Sequence, residues 1–358
     1  MKNWCFLLFI FFSLQKIEGQ NVKDPTDLTK KDSTQNIYKE KLDRYMGVRL
    51  DLNTNVSTFS FINQPPLRNF DLQPNLDYQT RVAVSYKWLT LAYSFSPKVG
   101  SLNDNEREKG KTKITGLDFS FNFKKTQHRL FFASTKGYFL SNSDIYRNEL
   151  NEQKIFGKYA KLPDFESLQL GSENFYFFNS DKYSKVFAKD KSEIQLKSAG
   201  SWVGFLGFYY SKIDGRKQDL PFLQFVFDQR LTYPTLNESY YSVVGTGYSY
   251  NFILPKHFFI TTLAIPAVGI QYSRQSYPQY SADKNKTELA VAIVTEGSLG
   301  YNTKNWFTGI LGTFNGFTSA SKGNRLAGAR GYATFFIGYR FAPPKVVKNT
   351  FDYIDEKL

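Results

Sequence analysis

Charged side chains occur inside segments that otherwise alternate apolar with small or polar residues, and these are the residues best suited to chemistry in this chain. Strand parity predicts that one inward face carries Arg49, Asp51, Arg81, Asp118, Glu296, Arg330 and Arg340. Guanidinium and carboxylate groups can pair with each other or bind a charged solute. A carboxyl pair such as Asp51 and Glu296 would suit acid–base work only if the fold brought the two groups within reach of each other.

Sequence motifs of the common enzyme classes are missing. The chain has 2 histidines, His128 and His257, and neither has a serine and an aspartate in an order typical of a catalytic triad. Gly-x-Ser-x-Gly, His-Glu-x-x-His and glycine-rich phosphate loops are absent from the sequence. The acids of loop 97–111 lack the spacing of a calcium loop. We therefore expect no enzymatic activity, no catalytic residue, no metal and no cofactor.

The first residues have the features of a secretory signal peptide. Lys2 is cationic, Trp4 to Leu14 are mostly apolar, and a cleavage position after Gly19 follows a more polar stretch. The 1 cysteine, Cys5, lies in this segment, so we expect no disulfide and no cysteine chemistry in the mature chain. No later stretch of about 18 apolar residues could span a membrane as a helix. An exported chain that enters a membrane without such a helix must close a barrel.

The elements that would position these side chains are strands. The segments Leu89–Phe95 and Leu117–Phe123 alternate apolar with small or polar residues, a period of two that is typical of strands with one apolar face. Aromatic residues form 18% of the chain although its mean hydropathy is −0.42, a combination typical of transmembrane barrels. We predict strands near 46–54, 77–86, 88–96, 112–123, 128–139, 168–178, 199–213, 239–252, 257–272, 287–302, 305–318 and 327–341.

The connections between these strands are alternately short and long, as in bacterial barrels with short periplasmic turns and long external loops. One connection, 179–198, should be periplasmic but is long. It would be strand bending at the rim or a segment folded toward the lumen. The predicted fold class is all-β, a transmembrane antiparallel up-and-down β-barrel of about 12 strands. The alternative is a secreted β-sandwich or β-helix with a phenylalanine-rich core.

The predicted organisation has four parts. They are a signal peptide at 1–19, a flexible periplasmic segment at 20–44, a transmembrane barrel at 45–342 and a periplasmic C-terminal tail at 343–358. This organisation predicts a location in the outer membrane of a Gram-negative cell. The formal charge of +14 is scattered, with no compact basic run on a nucleic-acid fold, so we expect no nucleic-acid partner. Expected partners are outer-membrane lipid and lipopolysaccharide, with a small anionic solute or a surface partner as further candidates.

Several short motifs resemble a known family. They are Leu72-Gln73-Pro74-Asn75, the segment Val84–Phe95, Lys197-Ser198-Ala199-Gly200-Ser201, the segment Gly247–Asn251 and Gly338-Tyr339-Arg340-Phe341. Over roughly residues 45–342, the chain resembles an uncharacterised family of outer-membrane barrels from Bacteroidota, the domain-of-unknown-function family numbered 4421. The resemblance implies the fold and the location, and it supplies no activity and no site residues.

Three functions stay open from the sequence. The first is a small channel or transport-related barrel whose polar, arginine-bearing lumen passes a small anionic solute. The second is a binding barrel whose external loops, especially 140–167 and 214–238, engage a partner protein or a surface glycan. The third is an outer-membrane lipid hydrolase using His128 or His257, which the scarcity of histidine disfavours.

Overall fold

The computed structural model describes residues 37–54, 56–62, 70–97, 105–148, 157–187, 192–217, 235–276, 284–319 and 325–357. These residues form strands of alternating polarity and two helices. The helices are α1 (Glu106–Lys109) and α2 (Lys345–Asp355). The strands are β1 (Lys39–Lys41), β2 (Met46–Thr54), β3 (Val56–Ile62), β4 (Phe70–Gln73), β5 (Tyr78–Tyr86), β6 (Leu89–Phe95), β7 (Lys113–Asn122), β8 (Thr126–Leu140), β9 (Ala160–Phe177), β10 (Glu193–Gln195), β11 (Ala199–Asp214), β12 (Leu236–Ile253), β13 (Phe258–Ser276), β14 (Lys284–Asn302), β15 (Trp306–Ser319) and β16 (Arg325–Phe341).

Twelve of these strands close into an antiparallel barrel. The ring runs β2, β5, β6, β7, β8, β9, β11, β12, β13, β14, β15 and β16, and it closes where β16 pairs with β2, Phe341 opposite Met46. Closure pairs the backbone groups of every edge, which is the condition for strands to cross a lipid bilayer. The predicted all-β, up-and-down barrel of 12 strands is confirmed.

Side chains alternate between the two faces of the wall as the period of two requires. Leu50, Leu91 and Leu130 point outward and are 42–50% exposed, whereas the neighbouring inward residues Ala83 and Ala92 are buried. The outward face is therefore an apolar belt, which is the surface that lipid would cover.

Aromatic rings border this belt at both ends. Toward the rim with the long loops, Tyr240 lies 5.0 Å from Tyr210 and 6.3 Å from Tyr272 between ring centroids. Toward the opposite rim, Trp306 lies 4.6 Å from Tyr339. Aromatic rings at these levels are typical of the two interfaces of a membrane-spanning barrel. We call the two ends the long-loop rim and the short-turn rim.

The ring of strands changes its members toward the long-loop rim. Strand β3 continues β2 along β16, while its other edge pairs with β4, and β4 in turn pairs with β8. Strands β5, β6 and β7 therefore belong to the ring only toward the short-turn rim. Toward the long-loop rim, β3 and β4 lie between β16 and β8. The sequence predicts a loop over 55–76, but β3 and β4 lie in this range. Strand β3 pairs with β16 beyond the end of β2, and β4 supplies the partner that the other edge of β3 needs.

Gly137 marks the place where β8 exchanges β7 for β4. Its φ of 90° is in the left-handed region that favours glycine, and the ladder with β9 is interrupted there between Lys136 and Tyr138. The hydroxyl of Thr112 donates to the Gly137 carbonyl at 2.6 Å. A Cβ atom at this position would lie 2.0 Å from the carbonyl oxygen of Lys111. The change of partner thus depends on the absence of a side chain.

Among the described residues, none of the helices has the length and apolar character to cross a bilayer.

Candidate functional site

The inward face of the barrel carries a chain of ion pairs, in which Asp51 bonds two arginines. Arg49 donates from Nη2 to Oδ2 of Asp51 at 2.9 Å, and Arg81 donates from Nη1 to the same oxygen at 2.8 Å. Arg81 also reaches Asp118, with 3.5 Å between Nε and Oδ2. Strand β6, which lies between Arg81 and Asp118, contributes the small residue Ala92 opposite Asp118. This leaves room for the long guanidinium side chain.

The chain of ion pairs continues across β8 and β9. Arg129 donates from Nη2 to Asp118 at 2.9 Å and from Nη1 to Oε2 of Glu173 at 3.3 Å. The hydroxyl of Tyr209, on β11, donates to Oε1 of Glu173 at 3.2 Å. Three guanidinium groups therefore alternate with three carboxylates. Such alternation balances charge inside the wall, where an uncompensated charge would be costly. We call Arg49, Asp51, Arg81, Asp118, Arg129 and Glu173 the charge chain.

The other half of the lumen is apolar. Its packed cluster includes Phe175, Phe205, Val243, Ile265 and Val294, which come from β9 and β11 to β14. A cavity of about 80 Å³ lies beside this cluster, and a second one of about 100 Å³ lies against the charge chain. An apolar cavity that holds benzene has a volume of about 150 Å³. Both described cavities are smaller than that, so side chains narrow the lumen between the charge chain and the apolar cluster.

The connection between β9 and β11 enters the lumen at the short-turn rim. We call residues 178–198 the plug segment, of which 178–187 and 192–198 are described. The hydroxyl of Tyr183 lies 2.5 Å from Oγ of Ser249 on β12, and the ring of Phe187 packs edge-on against Phe259 on β13 at 4.7 Å. Of the two outcomes left open by the sequence, this connection takes the one folded toward the lumen.

Gln195 holds the plug segment together. Its Oε1 accepts from the backbone N–H of Ser184 at 2.7 Å, and its Nε2 donates to the carbonyl of Lys182 at 2.7 Å. Asn251, on the wall, donates from Nδ2 to the Ser184 carbonyl at 2.9 Å. Strand β10 of the plug segment also pairs with β1. Residues 39–41 are therefore ordered as a strand within the range 20–44 for which the sequence predicts flexibility.

Four of the seven predicted lumen residues lie together, and a fifth lines the same cavity. Arg49, Asp51, Arg81 and Asp118 belong to the charge chain. Glu296 lines the same cavity of about 100 Å³ from the opposite wall. Arg340 is buried near the short-turn rim, where it donates to the Thr303 carbonyl at 2.5 Å and to Oδ1 of Asn302 at 2.8 Å. It stabilises the turn between β14 and β15. The side chain of Arg330 lies outside the described residues.

Arg129 and Glu173 belong to the charge chain although the sequence analysis does not select them. Arg129 lies near the start of its strand. The adjacent rings of Phe131 and Phe132 interrupt the alternation of apolar and polar residues there. Glu173 lies in the least regular of the predicted strands. Arg129 is two residues from the buried Gln127, and Glu173 is two residues from the buried Phe175. This shared parity is the feature that could have placed both residues on the inward face.

Both histidines lie near the short-turn rim, His128 at the start of β8 and His257 just before β13. The two ring nitrogens of His128 lie 2.8 Å from Oδ1 of Asn174 and 3.1 Å from Oγ1 of Thr126. His257 lies in the turn before β13 with its ring edge-on to Tyr301. Within the described part of the chain, no group of three or more His, Cys, Asp or Glu side chains could hold a metal ion.

Comparison with known sequences identifies one family. The family described as "Domain of unknown function (DUF4421)" matches residues 30–341. No curated protein matches the sequence.

Among solved structures, similar chains are outer-membrane proteins of low sequence identity. A bacterial polysaccharide outer-membrane secretin is 8% identical with a TM-score of 0.35, over 84% of this chain and 99% of that one. The outer-membrane protease OmpT from Escherichia coli is 6% identical with a TM-score of 0.34, over 84% and 98%. The toluene transporter TodX from P. putida is 7% identical with a TM-score of 0.29, over 83% and 90%. At these TM-scores, the similarities carry no argument about activity.

Proposed function

This chain belongs to the DUF4421 family of domains of unknown function, and we propose that it is an outer-membrane barrel with a closed lumen that serves as a scaffold for binding at the cell surface. The apolar belt between two aromatic borders supports the membrane location. Lipid would contact the belt, and lipopolysaccharide would contact the wall near the long-loop rim. Of the functions that the sequence leaves open, we therefore propose the binding barrel and not the channel.

The filled lumen carries the proposal. An anion-selective channel would need arginines that are available to a solute. In this barrel Arg49, Arg81 and Arg129 each pair with a carboxylate. The plug segment occupies the lumen at the short-turn rim, and the described cavities of the lumen are small, about 80 and 100 Å³. A barrel of this kind is suited to holding its external loops in place.

The described bases of two long loops are well ordered, which favours binding through these loops. In loop 140–167, Ser143 Oγ donates to the Leu140 carbonyl at 2.6 Å and accepts from the Ala160 N–H at 3.0 Å. In loop 214–238, Arg216 donates to both carboxylate oxygens of Asp214, at 3.0 and 2.8 Å. Hydrogen bonds therefore support the described bases of both loops, and loops held on a rigid scaffold are common binding elements.

The first test is conductance. Residues 20–358 would be refolded, shown to be folded by their heat-modifiable mobility on a gel, and inserted into a planar bilayer. We expect no steady current from the folded protein. A steady, ion-selective current would overturn the closed scaffold.

The second test is binding. Residues 149–156 and 218–234 would each be replaced by Gly-Ser linkers of the same length, with residues 98–104 replaced in a control variant. The probe is purified surface glycan of the source cell, immobilised on beads. We expect the two loop variants to lose glycan capture and the control to keep it, with the gel mobility of all three unchanged. Equal capture by all variants, or by none including the unchanged chain, would contradict loop-mediated glycan binding.

A gated channel is the second candidate, and one observation favours it. A cleft of about 550 Å³ lies between the plug segment and the elements at the short-turn rim, and Lys39, Lys87 and Lys185 line it. Replacing residues 180–191 with a Gly-Ser linker tests this candidate. A current in that variant beside a silent unchanged protein would favour gating, and silence in both would favour the scaffold.

A further inference from the structure

Helix α2 lies against the outer surface of the barrel wall. The ring of Phe351 packs edge-on against Tyr86 at 5.0 Å and lies 5.3 Å from the ring of Trp88. Tyr86 has the outward parity of Val82 and Val84 on β5, yet it is only 5% exposed, because α2 covers it. The helix therefore packs on outward-facing rings of the wall through Phe351, while Asp355 near its end also lines the cleft beside the plug segment.

The height of α2 on the wall is set by the same contacts. Trp88 lies in the turn between β5 and β6 and stacks on the outward rings Phe121 and Phe123, at 6.2 and 6.3 Å. Its indole Nε1 donates to Asp355 at 2.8 Å. Lys87 donates to Asp352 at 2.7 Å and to Asp355 at 2.5 Å. The helix is thus fixed at the level of the aromatic border of the short-turn rim.

One apolar strip of α2 is left uncovered by the barrel. Val346 is 77% exposed and Tyr353 is 59% exposed, and a separation of seven residues places them on the same side of a helix. At about 100° per residue, this strip is next to the barrel-facing strip of Val347 and Phe351 on one side. Asn349 and Glu356 lie on its other side, and they are exposed. Around the helix, the barrel-facing strip is followed by the apolar strip, and the apolar strip by a polar strip.

We propose that α2 is an interfacial helix whose strip of Val346 and Tyr353 lies in the headgroup region of the inner leaflet of the outer membrane. The occupant is lipid because the strip continues the lipid-facing belt through Trp88, Phe121 and Phe123 at the level where aromatic residues meet headgroups. Lys357 Nζ lies 4.4 Å from the ring centroid of Tyr353, so the end of the strip carries a cation suited to lipid phosphate. The inference rests on the proposed placement in a membrane.

The absence of cysteine after residue 19 makes the test direct. Single variants Val346→Cys, Tyr353→Cys, Asn349→Cys and Glu356→Cys of residues 20–358 would be labelled with a nitroxide and reconstituted into phosphatidylglycerol–phosphatidylethanolamine vesicles. Leu91→Cys, on the outward face of β6, is the control for the barrel itself. The measured quantity is the collision rate of each nitroxide with oxygen, which concentrates in lipid, and with a water-soluble nickel chelate.

We expect the ratio of oxygen to nickel collisions to be several-fold higher at positions 346 and 353 than at 349 and 356. A high ratio at Leu91→Cys with low ratios at 346 and 353 would overturn the interfacial helix and leave the membrane barrel intact. Low collision rates with both reagents at 346 and 353 would indicate cover by protein, such as a second copy of this chain, and would also overturn it. A low ratio at Leu91→Cys would overturn the membrane placement itself.

Discussion

The hydroxyl of Tyr183 lies 2.5 Å from Oγ of Ser249, although the first residue belongs to a connection between strands and the second to the barrel wall. Both side chains are buried. A buried hydroxyl pair of this kind is directional, so it fixes the plug segment in one position as well as holding it in the lumen. The behaviour of the plug segment therefore depends on a few identifiable contacts.

Phe187→Ala should loosen the plug segment. The ring is 2% exposed and packs against Phe259 in a cluster that also contains Phe307 and Phe336, so its loss should cost about 3 kcal/mol of local stability. Trypsin cleavage after Lys182 and Lys185 should accelerate, by up to about 100-fold if cleavage follows local opening. Phe258→Ala, which removes an outward ring from the adjacent position, should leave the cleavage rate unchanged. Equal rates in both variants and the unchanged protein would show that Phe187 does not anchor the segment.

Asp51→Ala should strongly destabilise the barrel. The carboxylate is 1% exposed and pairs with both Arg49 and Arg81, so its removal leaves two guanidinium groups without this partner. Breaking a buried ion pair from one side costs about 3–5 kcal/mol. The measurement is urea unfolding of the refolded protein followed by tryptophan fluorescence.

The matched control for this charge-chain variant is Asp181→Ala. Asp181 pairs with Lys124 at 3.7 Å, and both side chains are more than three-quarters exposed. A solvated pair of this kind contributes at most about 1 kcal/mol. If both variants unfolded at the same urea concentration as the unchanged protein, the charge chain would have no structural role.

Gly137→Ala should impair folding. A Cβ atom there would lie 2.0 Å from the Lys111 carbonyl oxygen, and the φ of 90° is unfavourable for alanine. Backbone strain and overpacking together should cost about 2–5 kcal/mol. Gly47→Ala is the control, because no atom lies nearer than 4.0 Å to its added Cβ. The heat-modifiable fraction after refolding should fall for the first variant only, and equal fractions would contradict the proposed role of Gly137.

Docking of α2 should depend on pH at both extremes. Hydrogen bonds from Lys87 hold the pKa of Asp355 below its usual range. Burial acts to lower the pKa of Lys87, but hydrogen bonds to Asp352 and Asp355 outweigh it and raise that pKa well above its usual value. The aspartate contribution is present above the unfolded pKa, about 3.9, and is lost as pH falls through the lowered folded value. The lysine contribution is present below about pH 10.4 and is lost as pH rises through the raised folded value.

The measurement for this pH dependence is the mobility of a nitroxide at Asn349→Cys. The spectrum should be constant from about pH 5 to 10 and should sharpen outside that window. In the control with Lys87→Met added, the ion pairs with α2 are absent, so neither change should be seen within the range where the barrel stays folded. Identical titrations with and without Lys87 would show that these ion pairs do not hold the helix.

The fold was largely predictable because lipid imposes a period of two on every strand that crosses it. The prediction was poorest where strands leave the apolar belt. The sequence predicts 168–178 for a strand that runs from Ala160 to Phe177, since Lys161, Asp164 and Glu166 are polar outward residues above the aromatic border. Strands β3 and β4 were missed for a different reason. Their pairing with β16 and β8 depends on distant segments that local pattern does not report.

The candidate site was predictable in part. Parity places Arg49, Asp51, Arg81 and Asp118 on one face, because inward and outward positions are fixed by the apolar residues around them. Parity alone does not give the register between strands, so it does not show that these groups would neutralise one another. That pairing is one reason why we propose a closed lumen in place of one that passes an anion. The position of the plug segment inside the lumen could not be predicted from its lysine-rich sequence, because its fold depends on contacts with the wall around it.

The sharing of β16 between β2 and β3 also governs the order in which the molecule can assemble. The contacts that close the ring join residues distant in sequence, such as Asn53 and Thr334, which are 281 positions apart. The β4–β8 contact is far more local, with Ser141 bonded to Asp71 across 70 positions. Loop-closure entropy makes the local contact the faster one to form. We therefore expect the β3–β4 hairpin to pair with β8 before β16 closes the ring.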